Sequence, residues 1–343
     1  MCSVDCMDLI MRMYLGLTTP TDLEVENIVE CIRYAEDNKV IYPLLTCLEE
    51  HGLLDHDLYR RKKVLSIRYR LLLDYLRDIT EELYSRGIEH VYIKTFRSIE
   101  NITEDADLLI LDPGRYAEAV EIVARIVRHK TYKVGGRSAS FKLKGVNAWI
   151  DVYHEPGLNH IVYYPRHLID TITRRSIGVD GYSYELPTPS LEDDLGITIG
   201  HAIIKEHRID LLEVFTLSSA LGKGFDLGRF IEKIRCAGLR RSVNIYASIV
   251  YGLISRYSKY VDPKVINGLL HILEMTGGYT PLDVNAMPYR LSKSLFLHAL
   301  TCLLKESGYA RESFIIQVVS LTRSRRNLVQ FIREGIIHLG WMR

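Results

Sequence analysis

The sequence predicts an α/β (α+β) fold, a small mixed sheet held between helical N- and C-terminal regions. Three observations lead there. Apolar residues recur with the helical 3.6 period from about Asp22 to Arg86 and again beyond Pro187. Between those stretches the pattern changes to short branched runs, Ile88–Lys94, Asp105–Leu111 and Val146–Tyr153, which have strand character. Gly87, Asp112-Pro113-Gly114 and Gly145 stand where the runs must stop or turn. The expected regions are therefore helical over 1–86, mixed α/β over 87–186 and helical over 187–343.

The elements follow in order. Leu23, Ile28, Val29, Ile32 and Ala35 form a first helical stripe. A second helix is expected near Tyr42–His51, ending at Gly52, and a long third one over Leu58–Arg86, stopped by Gly87. Ile88–Lys94 and Asp105–Leu111 read as strands. Asp112 then caps a helix with Pro113 at its first position, running to about His129. Gly135-Gly136-Arg137-Ser138 reads as a turn, or as a loop beside a ligand. Phe141–Lys144 and Val146–Tyr153 are expected to form a hairpin around Gly145. Ser190 caps a helix whose first turn carries Glu192, Asp193 and Asp194. Amphipathic stretches follow over Asp226–Cys236, Ser242–Tyr257, Pro263–Met275, Tyr289–Lys305 and Arg311–Ile337. The basic cluster Arg323-Ser324-Arg325-Arg326 reads as a charged face on the last of these.

Chemistry concentrates at Asp105-Ala106-Asp107. Residues two apart on a strand share a face, so this run places two carboxylates side by side at the start of an apolar strand. Desolvated like charges are costly. Asp151 adds a third carboxylate on a later apolar run. Three such groups suit a hard divalent cation with oxygen ligands, Mg²⁺ or Mn²⁺. A structural alternative has Asp105 capping its loop and Asp151 paired with a base such as Lys142. Mutual repulsion also predicts that Asp107→Ala leaves the metal-free chain no less stable.

Bulk properties narrow the classes. A 47% hydrophobic and 25% charged composition is that of a globular protein, and a net charge of +1 gives no overall field for nucleic acid or membrane. No apolar run is long enough to span a bilayer and the first residues do not form a secretory signal, so a cytoplasmic location is expected. The cysteines at 2, 6, 31, 47, 236 and 302 show no paired metal spacing and read as free thiols. Two glutamines, Gln317 and Gln330, against abundant charge point to a thermophile.

Four segments together carry a resemblance. They are Val91-Tyr92-Ile93-Lys94-Thr95, Asp105-Ala106-Asp107-Leu108-Leu109-Ile110, Ile150-Asp151-Val152-Tyr153-His154, and Leu191-Glu192-Asp193-Asp194-Leu195 with His201 and His207. The chain resembles the nucleotidyltransferase superfamily that includes DNA polymerase beta, and more closely its uncharacterised bacterial and archaeal families. The resemblance implies a nucleotidyltransferase core between the helical regions. It further implies transfer of a nucleoside monophosphate from an NTP to a hydroxyl on RNA, protein or a small molecule. Asp105, Asp107 and Asp151 would be the catalytic metal ligands.

The superfamily usually places Gly-Ser after the first strand, to cradle the triphosphate through backbone N–H groups and a hydroxyl. This chain has Lys94-Thr95-Phe96-Arg97-Ser98 there. Thr95 or Ser98 would supply the hydroxyl, and Lys94 and Arg97 the positive charge. The same departure supports two other readings, a non-catalytic nucleotide- or partner-binding protein and a toxin-like enzyme held by a partner.

Overall fold

In the computed structural model the described residues are 6–17, 25–99, 101–103, 105–128, 133–134, 138–144, 146–158, 161–223 and 225–323. The turn at Gly135-Gly136-Arg137, the hairpin tip Gly145 and the basic residues beyond Arg323 lie outside them.

Among the described residues four helices come first: α1 (Cys6–Tyr14), α2 (Val25–Asp37), α3 (Ile41–Glu50) and the 30-residue α4 (His56–Ser85). Asp55 starts α4 by accepting a hydrogen bond from the Leu58 N–H at 2.8 Å. Cys6 and Cys31 form a disulfide between α1 and α2, which corrects the expectation of free thiols there. Helix packing, not sequence spacing, brings that pair together. Cys47, Cys236 and Cys302 are free.

The central sheet has five strands in the order β1-β2-β5-β4-β3. They are β1 (His90–Ile93), β2 (Asp105–Ile110), β3 (Lys133–Val134), β4 (Ser138–Lys142) and β5 (Trp149–Tyr153). β1 runs antiparallel to β2, β2 parallel to β5, and β5 antiparallel to β4. Between β2 and β3, Asp112 caps a single 3₁₀ turn at Pro113–Arg115, and α5 (Tyr116–Ile126) follows.

Alternation sorts the sheet's two faces into two cores. Tyr92, Ala106, Leu108, Ile110, Ile150 and Val152 pack with Leu72, Leu76 and Leu83 of α4 and Ile122 of α5. Val91, Ile93, Leu109 and Tyr153 instead join the core built from α1–α3 and the C-terminal helices. Thus α4 belongs to the packing of the sheet, whereas α1–α3 belong with the C-terminal half.

Short strands β6 (Gly157–Leu158) and β7 (Ile161–Val162) lead to a hairpin that sequence reasoning missed, β8 (Ile172–Val179) and β9 (Tyr182–Pro189). Asp180 and Gly181 join its strands, both at positive φ, as a two-residue hairpin turn requires. Ser190 then caps α6 (Leu191–Gly200), as expected. A π-helical turn, His201–Glu206, extends α6 and ends at His207 in the left-handed conformation. Strand β10 (Arg208–Ile209) and α7 (Leu211–Gly222) follow, the latter opened by a capping box between Asp210 and Glu213. The periodicity of α7 is hidden because it is apolar nearly all round, with ten of its residues buried. α8 (Leu227–Ala237), α9 (Arg240–Ile254), α10 (Pro263–Thr276), β11 (Tyr289–Arg290), α11 (Lys293–Glu306) and α12 (Gly308–Arg323) complete the fold. Among the described residues, no helix is long and apolar enough to cross a membrane.

His90 gives the fold a measurable acid sensitivity. It is fully buried, its Nδ1 lies 2.9 Å from the Ile88 carbonyl oxygen, and its Nε2 has no hydrogen-bond partner among the described residues. Burial pushes its pKa down to about 4. The unfolded chain takes up this proton near pH 6.5, and the folded protein refuses it until about pH 4. Stability should therefore fall as pH drops through that window, by about 3 kcal/mol in total. Urea unfolding at pH 7 and pH 4.5 should show a smaller difference in His90→Phe than in the parent. An identical difference would refute the assignment.

Candidate active site

A cavity of about 700 Å³ opens where the sheet meets the helical parts of the chain. The ends of β1 and β2, the start of α7, the α2–α3 junction and the π-helical turn all contribute to its wall. Asp105, Asp107 and Asp151 line it together with Lys94, Thr95, Arg97, Tyr153, His201 and Lys205.

Strand register explains the carboxylates. In the parallel β2–β5 pair, Asp107 lies opposite Asp151. Neighbours in register present their side chains to one face, so these two share a wall. Asp105 stands two residues earlier on the same face and is exposed. Lys142 does not pair with Asp151. It lies over the Trp149 ring at 5.7 Å, and Ser140 is the residue in register with Asp151.

Lys94 is built into this wall. It follows β1 directly and adopts a left-handed backbone with φ 55°. That conformation is unfavourable for a side chain with a Cβ. The half-buried Asp194 carboxylate at the start of α6 holds it by accepting the Lys94 N–H at 2.7 Å. The Lys94 ammonium then lies 3.2 Å from the Asp107 carboxylate, with 6% and 15% of the two side chains exposed. Burial lowers the Lys94 pKa to about 8, against the opposing pull of Asp107.

Sequence reasoning missed two partners. The Tyr153 hydroxyl donates to Asp151 at 3.3 Å and accepts from Lys205 at 3.4 Å. Lys94 and Lys205 place their ammonium groups 5.5 and 5.6 Å from the centre of the Tyr153 ring. Burial first, then Asp107 and Asp151, raises the tyrosine pKa well above its usual value, so the phenol stays protonated. His201 also lines the cavity. Burial and then the surrounding cations, Lys94 first, keep its imidazole neutral. His201 and Lys205 are four apart on the turn. His207 instead packs on Phe296, and His154 stacks edge-on with Tyr116.

The other expected phosphate contacts are engaged in holding the fold. The Thr95 hydroxyl donates to the Ile93 carbonyl at 3.1 Å and accepts from the Asp107 N–H at 2.9 Å, which ties β1 to β2 at the site. Ser98 lies outside the cavity lining and donates to the Thr216 carbonyl at 2.8 Å. Arg97 lines the cavity, but its guanidinium donates to Thr198 at 2.6 Å and faces Glu213 at 3.6 Å.

Three carboxylates facing one cavity form a hard-oxygen donor set, which fits a divalent ion in chemistry. As placed, however, no three His, Cys, Asp or Glu residues among those described are grouped closely enough to hold one. Lys94 already neutralises Asp107.

Two glycines position the cationic turn. A Cβ at Gly200 would lie 2.5 Å from the Tyr163 ring, and one at Gly196 would lie 2.7 Å from the Tyr164 ring. Both rings are buried, so neither can move aside cheaply. Gly200→Ala should cost about 1–3 kcal/mol and displace the turn carrying His201 and Lys205. Thermal unfolding checks the cost, and an unchanged melting temperature would show that the groove tolerates a methyl group.

No protein-family profile matches the chain, and neither does any curated protein. Two solved structures are similar. One is MenT4, a nucleotidyltransferase toxin from Mycobacterium tuberculosis H37Rv, at 11% identity and a TM-score of 0.32, covering 79% of this chain and 89% of that one. The other is a STING-associated CdnE c-di-GMP synthase from Capnocytophaga granulosa, at 11% identity and a TM-score of 0.27, covering 91% and 99%. With TM-scores this low, the functional reading rests on the site's own residues.

Proposed function

We propose that this cavity transfers a nucleoside monophosphate from an NTP to a hydroxyl acceptor in a Mg²⁺- or Mn²⁺-dependent reaction. The supporting observation is the parallel register of Asp107 and Asp151 on one cavity wall, with two lysines beside them. Asp105, Asp107 and Asp151 would hold the metal. The bound ion would acidify the attacking hydroxyl and neutralise the departing pyrophosphate. Asp151 would accept the acceptor's proton, and Tyr153 would orient that carboxylate through its 3.3 Å hydrogen bond. Lys94 and Lys205 would meet the triphosphate. The Thr95 and Ser98 hydroxyls leave this task to cations, because both already bond to the backbone.

That same engagement of the hydroxyls favours a second reading, a nucleotide-binding protein without turnover. The experiment that separates the two uses each α-labelled NTP with Mg²⁺ or Mn²⁺, and total RNA, lysate protein or a small-molecule extract as acceptor. Label on one acceptor class supports transfer and identifies the class. Saturable NTP binding with no label on any acceptor supports the second reading. Growth arrest on expression, relieved in Asp107→Ala, would favour a toxin-like role.

A further inference from the structure

The carboxylates of this cavity do not wait bare for an ion. Asp107 faces the Lys94 ammonium at 3.2 Å. Asp151 is linked to the Lys205 ammonium through the Tyr153 hydroxyl, in steps of 3.3 and 3.4 Å. The Tyr153 ring lies against both ammonium groups. Two negative and two positive charges therefore alternate around one neutral phenol. Neither lysine is placed by chance. Lys94 is held by Asp194 through its own backbone, and Lys205 sits on a π-helical turn, a form that is rare and often found at functional sites.

We infer that Lys94 and Lys205 are internal counter-ions of Asp107 and Asp151, which keep a divalent cation out of the nucleotide-free cavity and pass to the phosphates when nucleotide arrives. This rests on the proposed metal-dependent site and adds its order of assembly. A cation approaching Asp107 alone meets the Lys94 charge at close range. A polyanion approaching alone meets lysines already committed to carboxylates. When both enter together, metal takes the carboxylates and lysines take the phosphates, so each ligand raises the affinity for the other by the same factor.

The test uses the full chain and two probes that involve no turnover. Mn²⁺ binding to the nucleotide-free protein is followed by electron paramagnetic resonance. Inorganic tripolyphosphate binding is followed by calorimetry in EDTA. Lys94→Met should bind Mn²⁺ about tenfold more tightly than the parent and tripolyphosphate about tenfold more weakly. Asp107→Asn should move both affinities the opposite way. Lys94→Arg keeps the charge and should stay near the parent in both. Lys205→Met should follow Lys94→Met with a smaller change, and it carries the test if Lys94→Met does not fold by circular dichroism. Unchanged or weaker Mn²⁺ binding in the lysine variants would overturn the counter-ion role while leaving the metal site standing. Absence of Mn²⁺ binding in the parent and every variant would overturn the metal reading itself, and the inference with it.

Discussion

Asp107→Ala is expected to reduce nucleotidyl transfer by about three orders of magnitude, as when a group that organises transition-state charge is lost. Asp107 is tied to its neighbours in the cavity on three sides. It lies in register with Asp151, its N–H bonds to Thr95, and its side chain meets Lys94. The effect on stability reverses the expectation from sequence. Three like charges alone predict relief when one is removed. In the structure the removed charge is the partner of a buried ammonium, so Lys94 is left uncompensated. A loss of about 2–3 kcal/mol is expected at pH 7. The Lys94 pKa of about 8 fixes the pH window. Below it the parent gains from a charged pair, and above it Lys94 is neutral and that gain fades. The stability gap between parent and variant should therefore narrow from pH 7 to pH 9. Denaturant unfolding at both values, with label transfer measured on the same samples, checks both effects. Parent-like transfer would end the catalytic assignment, and a variant as stable as the parent at pH 7 would show that the ion pair contributes nothing.

The carboxylate wall was legible in the sequence because strands have a period of two. Alternation in Asp105–Ile110 and Trp149–Tyr153 separates apolar residues from Asp105, Asp107 and Asp151 without knowledge of the tertiary fold. The caps at Ser190 and Asp112 were equally local. Lys205 and Tyr153 were not legible as partners, since tertiary packing, including that of α6 against the Tyr163–Tyr164 segment, carries the π-helical turn to the sheet. The β8–β9 hairpin did have a local signal, Asp180-Gly181 between alternating residues, which sequence reasoning passed over. For α7 the sequence had little to offer, because a helix buried all round shows no amphipathic stripe. The Lys94–Ser98 segment is the most instructive case. The residues that sequence reasoning assigned to phosphate split into two groups, with Lys94 in the cavity network and Thr95, Ser98 and Arg97 engaged in holding the fold.

Arg97→Met follows from that split, and its expected effect is on stability. The guanidinium is anchored to Thr198 of α6 and faces Glu213 of α7, and its own backbone carbonyl accepts from Arg175 of β8. It thereby joins the loop after β1 to three later elements. The ion pair with Glu213 is 10% and 6% exposed, and Asp194, whose pKa desolvation raises, also draws on the Arg97 charge. Removing the guanidinium leaves Glu213 without its cation and withdraws the charge that moderates Asp194. Breaking a buried pair from one side costs about 3–5 kcal/mol. Arg97→Lys should recover only part of this, since an ammonium cannot reach Thr198 and Glu213 in one planar fork. The double variant Arg97→Met/Glu213→Gln should be more stable than Arg97→Met alone, because the glutamine carries no charge to strand and can still accept from the Asp210 N–H that caps α7. A phosphate-gripping arginine would give the opposite pattern, with near-parent stability and weakened NTP binding. Unfolding free energies for the three variants, set beside their NTP affinities, decide between the two roles.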